Sequence, residues 1–528
     1  MKLKASPHMS FAKVYSAQTS LLKAHPVTVE VDLSKGLHSF SIVGLPDKAV
    51  EEARDRMSAA IKNSGFVSPK QKNQKVVVSL APADIKKEGP SFDLAMALAY
   101  LLAAEEISFS PEKKMFLGEL SLDGKMRKIS GVLPLVDMAK QRGFEEVYLP
   151  EENAREAALI SDISIFGVQN LIEVVEHLNE KKSANTKKTK KLLFPQPKTE
   201  IEHAERKYAV DFADIKGQET GKRGLEIAAA GAHNIALFGP PGTGKTMLAR
   251  AFADILPPLS FEEILETTSI HSVAGILKDD LVTEAPFRGP HHTSSYVSLV
   301  GGGSFPKPGE VTLAHRGVLF LDEFPEFDRR GIEALRQPLE DRVVSISRSK
   351  GTALFPADFI LIAAMNPCPC GNFGSKDKEC VCPPAHLLRY RRKISGPIAD
   401  RIDMWIEVPT ISASKLSDGK KGEGSAAVQQ RIIAARTLQK NRFEKFKLPF
   451  KTNSQINAKR IEELIPLDQK ARATLNSAAD NMKLSARAYH RIIKLARTIA
   501  DLANSGDVTF KHILEAVQYR PKEVESRF

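Results

Sequence analysis

The chain has 528 residues, 42% of them apolar and 27% charged, the composition of a globular protein with room for about three domain-sized cores. No uncharged apolar run approaches the roughly eighteen residues that a membrane-spanning helix needs, which argues against a transmembrane protein. The net charge of +12 is compatible with a polyanionic partner but does not identify one.

The N-terminus, Met1 to Met9, carries no apolar segment of the signal-peptide kind, so a cytoplasmic location is expected. Residues 9–180 read as one α/β domain. Val27–Asp32 alternates as a half-buried strand, Phe40–Val43 follows as a second, and Lys75–Leu80 is a buried third. Asp47–Ser64 has Ala49, Val50, Ala53, Met57, Ala60 and Ile61 on one helical face, and Phe92–Ala103 is an Ala/Leu-rich helix. A basic linker over 181–208 begins with six lysines in the eleven residues Lys181–Lys191. It reads as a solvated connector, with a phosphate-contacting tether as the alternative. A P-loop core is expected over 209–410. After the polar stretch Ser412–Ser425, a helical domain over 411–528 has its clearest helices at Val428–Phe443 and Ala486–Leu502.

Chemistry concentrates in the core. Gly239, Pro240, Pro241, Gly242, Thr243, Gly244, Lys245 and Thr246 fit G-x-x-x-x-G-K-[ST], between the apolar run Asn234–Phe238 and the helix-prone Met247–Ala253. In that context the backbone N–H groups cradle phosphates at a helix N-terminus. Lys245 would reach the β- and γ-phosphates of ATP, and the Thr246 hydroxyl would coordinate Mg²⁺. Val318–Leu321 is a buried strand that delivers Asp322 to the metal and Glu323 to the attacking water. Another buried strand, Phe359–Asn366, ends in a polar residue able to bond the γ-phosphate or that water. Arg401 lies between Asp400 and Asp403; it reads as a structural ion pair or as an arginine finger for a neighbouring subunit's ATP, and the finger role would require a closed oligomer. Arg487 opens the last long helix, where a lid arginine would sense the γ-phosphate of its own subunit.

All four cysteines, Cys368, Cys370, Cys380 and Cys382, fall within one short stretch. Four thiolates can close a tetrahedral Zn²⁺ site, although C-x-C is tighter than the usual C-x-x-C knuckle. The adjacent His291 and His292 read as structural in preference to metal ligands, since no acidic residue nearby has ligand spacing.

Taken together, Pro286–Thr293, Val300–Gly303, Pro308–Glu323 and Gln337–Asp341 resemble the AAA+ ATPases related to the magnesium-chelatase motor subunit. With Val43–Asp47 and Ser485–Arg491 added, the chain is identified as a member of the ComM/YifB branch, the likeness running from Phe11 to about Leu502. Because it begins there, Met9 is expected as an alternative start. The resemblance implies an α/β protein with a Lon-protease/ribosomal-S5-like N-terminal domain, an AAA+ P-loop NTPase core and a C-terminal helical lid. It implies a ring, hexameric in this family, that hydrolyses ATP to move on DNA, as a branch-migration helicase on branched or single-stranded substrates, with no membrane partner. In the stretch from Ile264 to Thr312 the branch carries a hairpin insertion facing the ring pore, with Arg288, Lys307 and Arg316 as cations for DNA phosphates. Glu88–Asp93 resembles the segment where Lon carries its nucleophilic serine, here Ser91. The lysine that would activate it is expected at Pro134, leaving only Lys125, Lys128 and Lys140 as conceivable bases. Ser91 then reads as structural, for instance as a helix N-cap. Two other readings stay open: a remodelling ATPase for a metal chelatase, and a Lon-like ATP-dependent protease.

Overall fold

In a computed structural model, the structure describes residues 10–20, 22–180, 192–201, 209–277, 279, 281–303, 307–348, 351–374, 378–412 and 422–520. Met9 and the lysine run Lys181–Lys191 lie outside these residues. The chain forms two compact units: one holds Met1–Glu202 with Ile264–Val282, the other His203–Glu263 with Thr283–Phe528.

The first unit is built on a mixed seven-stranded sheet. Its strands are β1 (Ser10–Ser20), β2 (Lys23–Lys35), β3 (Ser39–Val43), β4 (Gln74–Ala81), β5 (Lys114–Phe116), β6 (Glu146–Pro150) and β7 (Ser164–Val168), in the order β3-β4-β2-β1-β5-β6-β7. Val27, Val29, Val31 and Leu33 of β2, at every second residue, turn to the core with Val76, Val78 and Leu80 of β4. Helix α1 (Lys48–Asn63) starts where Asp47 accepts a bond from the Val50 N–H, so both its cap and its buried face are written in the sequence. Helix α2 (Asp93–Ala103) is buried along nearly its whole length. Its N-cap is Phe92 and no side chain caps it, so Ser91 does not take the expected capping role. Instead Asp93, fully buried, accepts two bonds from the Arg56 guanidinium (2.8 and 3.1 Å) and one from the Leu120 N–H. Pro134 falls inside helix α3 (Val132–Gln141).

Ile264–Val282 lies between the two nucleotide motifs in sequence but belongs to this first unit. There Ile270, Thr267, Thr268 and Ser272 are buried, and the Ser272 hydroxyl accepts the Gly131 N–H at 2.9 Å. Gly131 has φ +75, and a Cβ there would meet Thr19 at 2.9 Å, so a side chain would disrupt this close approach.

The second unit contains a five-stranded, all-parallel sheet. Numbered onward, its strands are β8 (Ile235–Phe238), β9 (Phe287–Arg288), β10 (Val318–Leu321), β11 (Ile360–Met365) and β12 (Met404–Glu407), in the order β9-β10-β11-β8-β12. Runs such as Ile360–Met365, buried at every residue, suit a sheet covered on both faces. The C-terminal helices are Ser425–Lys445, Gln469–Asn481, Ala486–Leu502 and Phe510–Gln518. They share one continuous core with the sheet, to which Leu237, Ile406, Ile432, Leu475, Ile499 and Ile513 contribute. The buried contact between His233 Nε2 and Thr498 Oγ1 (2.8 Å) ties the last long helix to the foot of β8.

Candidate nucleotide site

Because the sheet is parallel, the C-terminal ends of β8, β10 and β11 share one edge, and each ends in a residue able to act on a phosphate. The loop Gly239–Gly244 follows β8 and leads into helix Lys245–Ile255. Gly242 and Gly244 hold φ +76 and +91, the left-handed region that favours glycine, and a Cβ on Gly239 would lie 2.1 Å from the Val408 carbonyl oxygen. Lys245 is buried and donates to the carbonyls of Gly239 and Pro240 (both 2.7 Å) and to Asn366 Oδ1 at 3.2 Å. Burial lowers its pKa, while the Asp322 charge opposes that shift. Thr246 Oγ1 donates to Asp322 Oδ2 at 3.0 Å, and Asp322 Oδ1 accepts the Glu323 N–H at 2.9 Å. Lys245, Thr246, Asp322 and Asn366 are therefore assembled as one constellation, with Glu323 beside it.

A cleft of about 420 Å³ is lined by Thr246, Arg250, His291, His292, Asp322 and Glu323. Glu323, at φ +51, faces His292 with its Oε2 3.0 Å from the ring Nδ1. This partner was missed in the sequence, where the histidine pair reads as structural. The P-F-R-G-P-H-H-T segment carried the only signal, and nothing in it says which histidine faces the carboxylate.

Arg401 and Arg487 stand elsewhere. Ile235 pairs with Met404 and Phe238 with Glu407, so Arg401 precedes β12 at the sheet edge opposite the phosphate loop, roughly 13 Å of strand away. The Asn234 side chain, at the foot of β8, donates to the Arg401 carbonyl at 3.3 Å. The Arg401 guanidinium is half-buried, pairing with Glu340 at 3.2 Å and donating to the Pro397 carbonyl at 2.8 Å. Desolvation lowers its pKa; Glu340 opposes this, while the charges of Arg487, Arg491 and Arg336 add to it. Arg487 is exposed in the first turn of its helix. Arg491 donates to the Arg401 carbonyl at 3.0 Å and to Asp403, whose carboxyl stays well below the usual range despite burial because Arg491 and His233 hold its charged form. Arg487, expected to sense the nucleotide of its own subunit, thus lies close enough to Arg401 for its charge to help lower the Arg401 pKa. The helix end that carries Arg487 meets the sheet at the edge where Arg401 sits.

The cations expected to meet DNA differ in their surroundings. Arg288 is clamped by both carboxylate oxygens of Glu310 (2.6 and 2.8 Å), and Arg316 by Asp358 at 2.7 Å, whereas Lys307 is exposed. Two of the three thus serve local ion pairs.

The four cysteines converge. Cys368 Sγ lies 3.4 Å from Cys370 and 3.7 Å from Cys380, Cys370 lies 3.7 Å from Cys380, and one ligand atom from each of the four fits within 4.8 Å. Among the described residues, this is the group of His, Cys, Asp and Glu side chains close enough together to hold a metal ion.

Comparison with known proteins agrees with this geometry. The family described as "Magnesium chelatase, subunit ChlI" matches residues 211–416, "Subunit ChlI of Mg-chelatase" matches 29–153, and "Magnesium chelatase, subunit ChlI C-terminal" matches 422–520. Competence protein ComM of Haemophilus influenzae is 42% identical over 515 residues, covering 97% of this chain and 98% of that protein. YifB of Escherichia coli is 40% identical over 515 residues, covering 97% of each. Likeness to Lon protease 2 of Bacillus subtilis is weaker, 31% over 188 residues and 30% of this chain. No helix among the described residues is long and apolar enough to cross a membrane. With Lys245, Thr246, Asp322 and Asn366 brought together on a parallel sheet, and relatives matched over nearly their whole length, the chain belongs to the ComM/YifB family of magnesium-chelatase-like AAA+ ATPases.

Proposed function

We propose that this ATPase works as a closed ring, a hexamer by family resemblance, that moves on DNA as a branch-migration helicase in recombination or natural transformation. The observation that carries the reading is the division of catalytic groups between two sheet edges. Lys245, Thr246, Asp322 and Asn366 form the phosphate-facing half, while Arg401 and Arg487 stand together at the opposite edge. An arginine there reaches a nucleotide only if a second copy presents one, and repetition of that head-to-tail contact closes a ring. ATP with Mg²⁺ held by Thr246 and Asp322 is the energy source. Glu323 orients the attacking water, and Asn366 reads the γ-phosphate. A structural Zn²⁺ at the four cysteines completes the cofactor set. DNA as cargo rests on the likeness to a competence protein and on the net charge of +12.

The test is ATP turnover measured with branched, single-stranded and duplex DNA at stated, moderate salt, because phosphate contacts weaken steeply with salt. Branched or single-stranded DNA should raise turnover, and branched substrates should be resolved into unwound products. Turnover indifferent to every DNA, together with capture of a large chelatase-type partner, would favour the remodelling reading that the magnesium-chelatase matches leave standing.

A further inference from the structure

The cysteine loop lies against the nucleotide loop as well as following the sensor strand. Gly371, between the first and second cysteine pairs, holds φ +80, and a Cβ there would sit 2.5 Å from Pro241 Cδ. Backbone of one loop is thus seated directly on the proline of the other, at a spacing only glycine permits. Cys368 comes two residues after Asn366, the side chain that accepts from Lys245. Asn366 is held from the far side as well, its carbonyl accepting the Tyr390 hydroxyl at 3.2 Å. Within the loop, Gly371 N–H donates to the Cys368 carbonyl (3.0 Å) and Phe373 N–H to Cys368 Sγ (3.3 Å), and the Arg391 guanidinium lies 5.0 Å over the Phe373 ring.

The sulfur spacing says what holds this loop. Four thiolates at about 2.3 Å from one Zn²⁺ form a tetrahedron with edges near 3.8 Å. The observed edges of 3.4, 3.7 and 3.7 Å approach that figure and exceed the roughly 2.05 Å of a disulfide. Thiols without a metal gain little from such crowding, whereas thiolate–zinc bonds turn the energy of metal binding into folding energy of the loop.

We infer that the four-cysteine loop is a metal-held latch on the nucleotide site: Zn²⁺ on Cys368, Cys370, Cys380 and Cys382 keeps Gly371 seated on Pro241 and Asn366 aligned with Lys245, so zinc occupancy and ATP affinity are coupled. The inference rests on the ATP and zinc assignments proposed above and adds the link between them. Coupling between two sites is reciprocal: zinc tightens the nucleotide by the factor with which the nucleotide tightens zinc.

The experiment uses the full chain, purified without chelator. Elemental analysis gives zinc per chain. Titration with a fluorescent ATP analogue, before and after zinc is stripped, gives the first coupling factor. Competition for zinc by a chelating dye, with and without a non-hydrolysed ATP analogue and Mg²⁺, gives the second. Stoichiometric zinc and a matching factor of about tenfold in both directions are expected. Gly371→Ala guards against simple unfolding: it keeps all four thiolates and should keep the zinc, yet weaken the nucleotide by pushing on Pro241. If zinc is present but either factor stays within about twofold, the latch is overturned and the zinc assignment stands. If a chain that binds nucleotide tightly contains no zinc, both fall. If zinc binds and nucleotide does not, the ATP assignment fails and the latch fails with it.

Discussion

The two edges of the parallel sheet in the second unit carry charged side chains under opposite conditions. At the C-terminal edge the hydrogen-bonding groups are satisfied within the subunit: Lys245 by two carbonyls and Asn366, and the Thr246 hydroxyl by Asp322. At the N-terminal edge like charges crowd. Arg336, Arg401, Arg487 and Arg491 lie near one another with Glu333, Glu340 and Asp403 as counter-charges, and the Lys494 pKa is driven down to about 8, first by burial. The buried Arg401 Nε has no hydrogen-bond partner among the described residues. One edge is a finished half-site; the other is a surplus of positive charge that an incoming polyphosphate would relieve. Parallel strands make the contrast possible, because every strand sends its C-terminus to one side and its N-terminus to the other.

The sharpest way to break the comparison is to remove its first member. Lys245→Ala deletes the cation that spans the loop and Asn366, and both nucleotide affinity and turnover should fall to background, read by fluorescent-nucleotide titration and phosphate release. Arg401→Ala should act differently. It should leave nucleotide affinity within about twofold while turnover falls ~10³-fold or more, because an arginine finger acts on the transition state and not on binding. Mixing the two inactive variants should restore part of the turnover, since a Lys245-intact site can then face an Arg401-intact neighbour. No recovery in mixed rings would place Arg401 in its own subunit's chemistry and dissolve the distinction between the edges. Arg487→Ala should follow the Arg401 pattern with a smaller loss, about a hundredfold. A loss of nucleotide affinity in the unmixed variant, without recovery on mixing, would instead return Arg487 to its own subunit's site.

These contrasts also mark how far the sequence could be read. Val318–Leu321 and Ala486–Leu502 form the strand and helix expected of them, residue for residue. Both are bounded by local chemistry: the strand lies between Gly317 and Asp322, and the helix is capped by Ser485, whose hydroxyl accepts the Ala488 N–H. The phosphate loop was legible for the same reason, since its glycines, lysine and threonine act within eight consecutive residues. What escaped depends on partners outside the segment itself. Ser10–Ser20 has no clean alternation of its own, with Lys13 and Gln18 among its residues, and becomes a long strand by pairing with Lys23–Lys35. Ile264–Val282 buries Thr267, Thr268 and Ser272 beside Ile264 and Ile270, a mixed pattern that does not announce its place in the first unit. Arg487 sits at a recognisable helix start, yet the edge that this start meets is fixed by contacts such as Arg491 with Asp403, eighty-eight residues apart.

The smallest predicted effect concerns His292, the residue that sharpens the finished edge from within. Its Nδ1 lies 3.0 Å from Glu323 Oε2, while the Glu323 backbone is pinned by its N–H bond to Asp322 and held at φ +51. The backbone fixes where the carboxylate starts; His292 fixes where it ends. His292→Ala should therefore lower kcat about tenfold with little change in the KM for ATP, because a misplaced base costs rate without costing binding. His292→Asn, which keeps a hydrogen-bonding group on a short side chain, should recover part of the loss, and a purely packing role for the ring would not produce that recovery. A rise in kcat on removing the imidazole would reverse the sign, making the pair a restraint that holds Glu323 away from the water. In that case the edge that looks complete in the isolated subunit would be completed only when something in the assembled ring pulls Glu323 free.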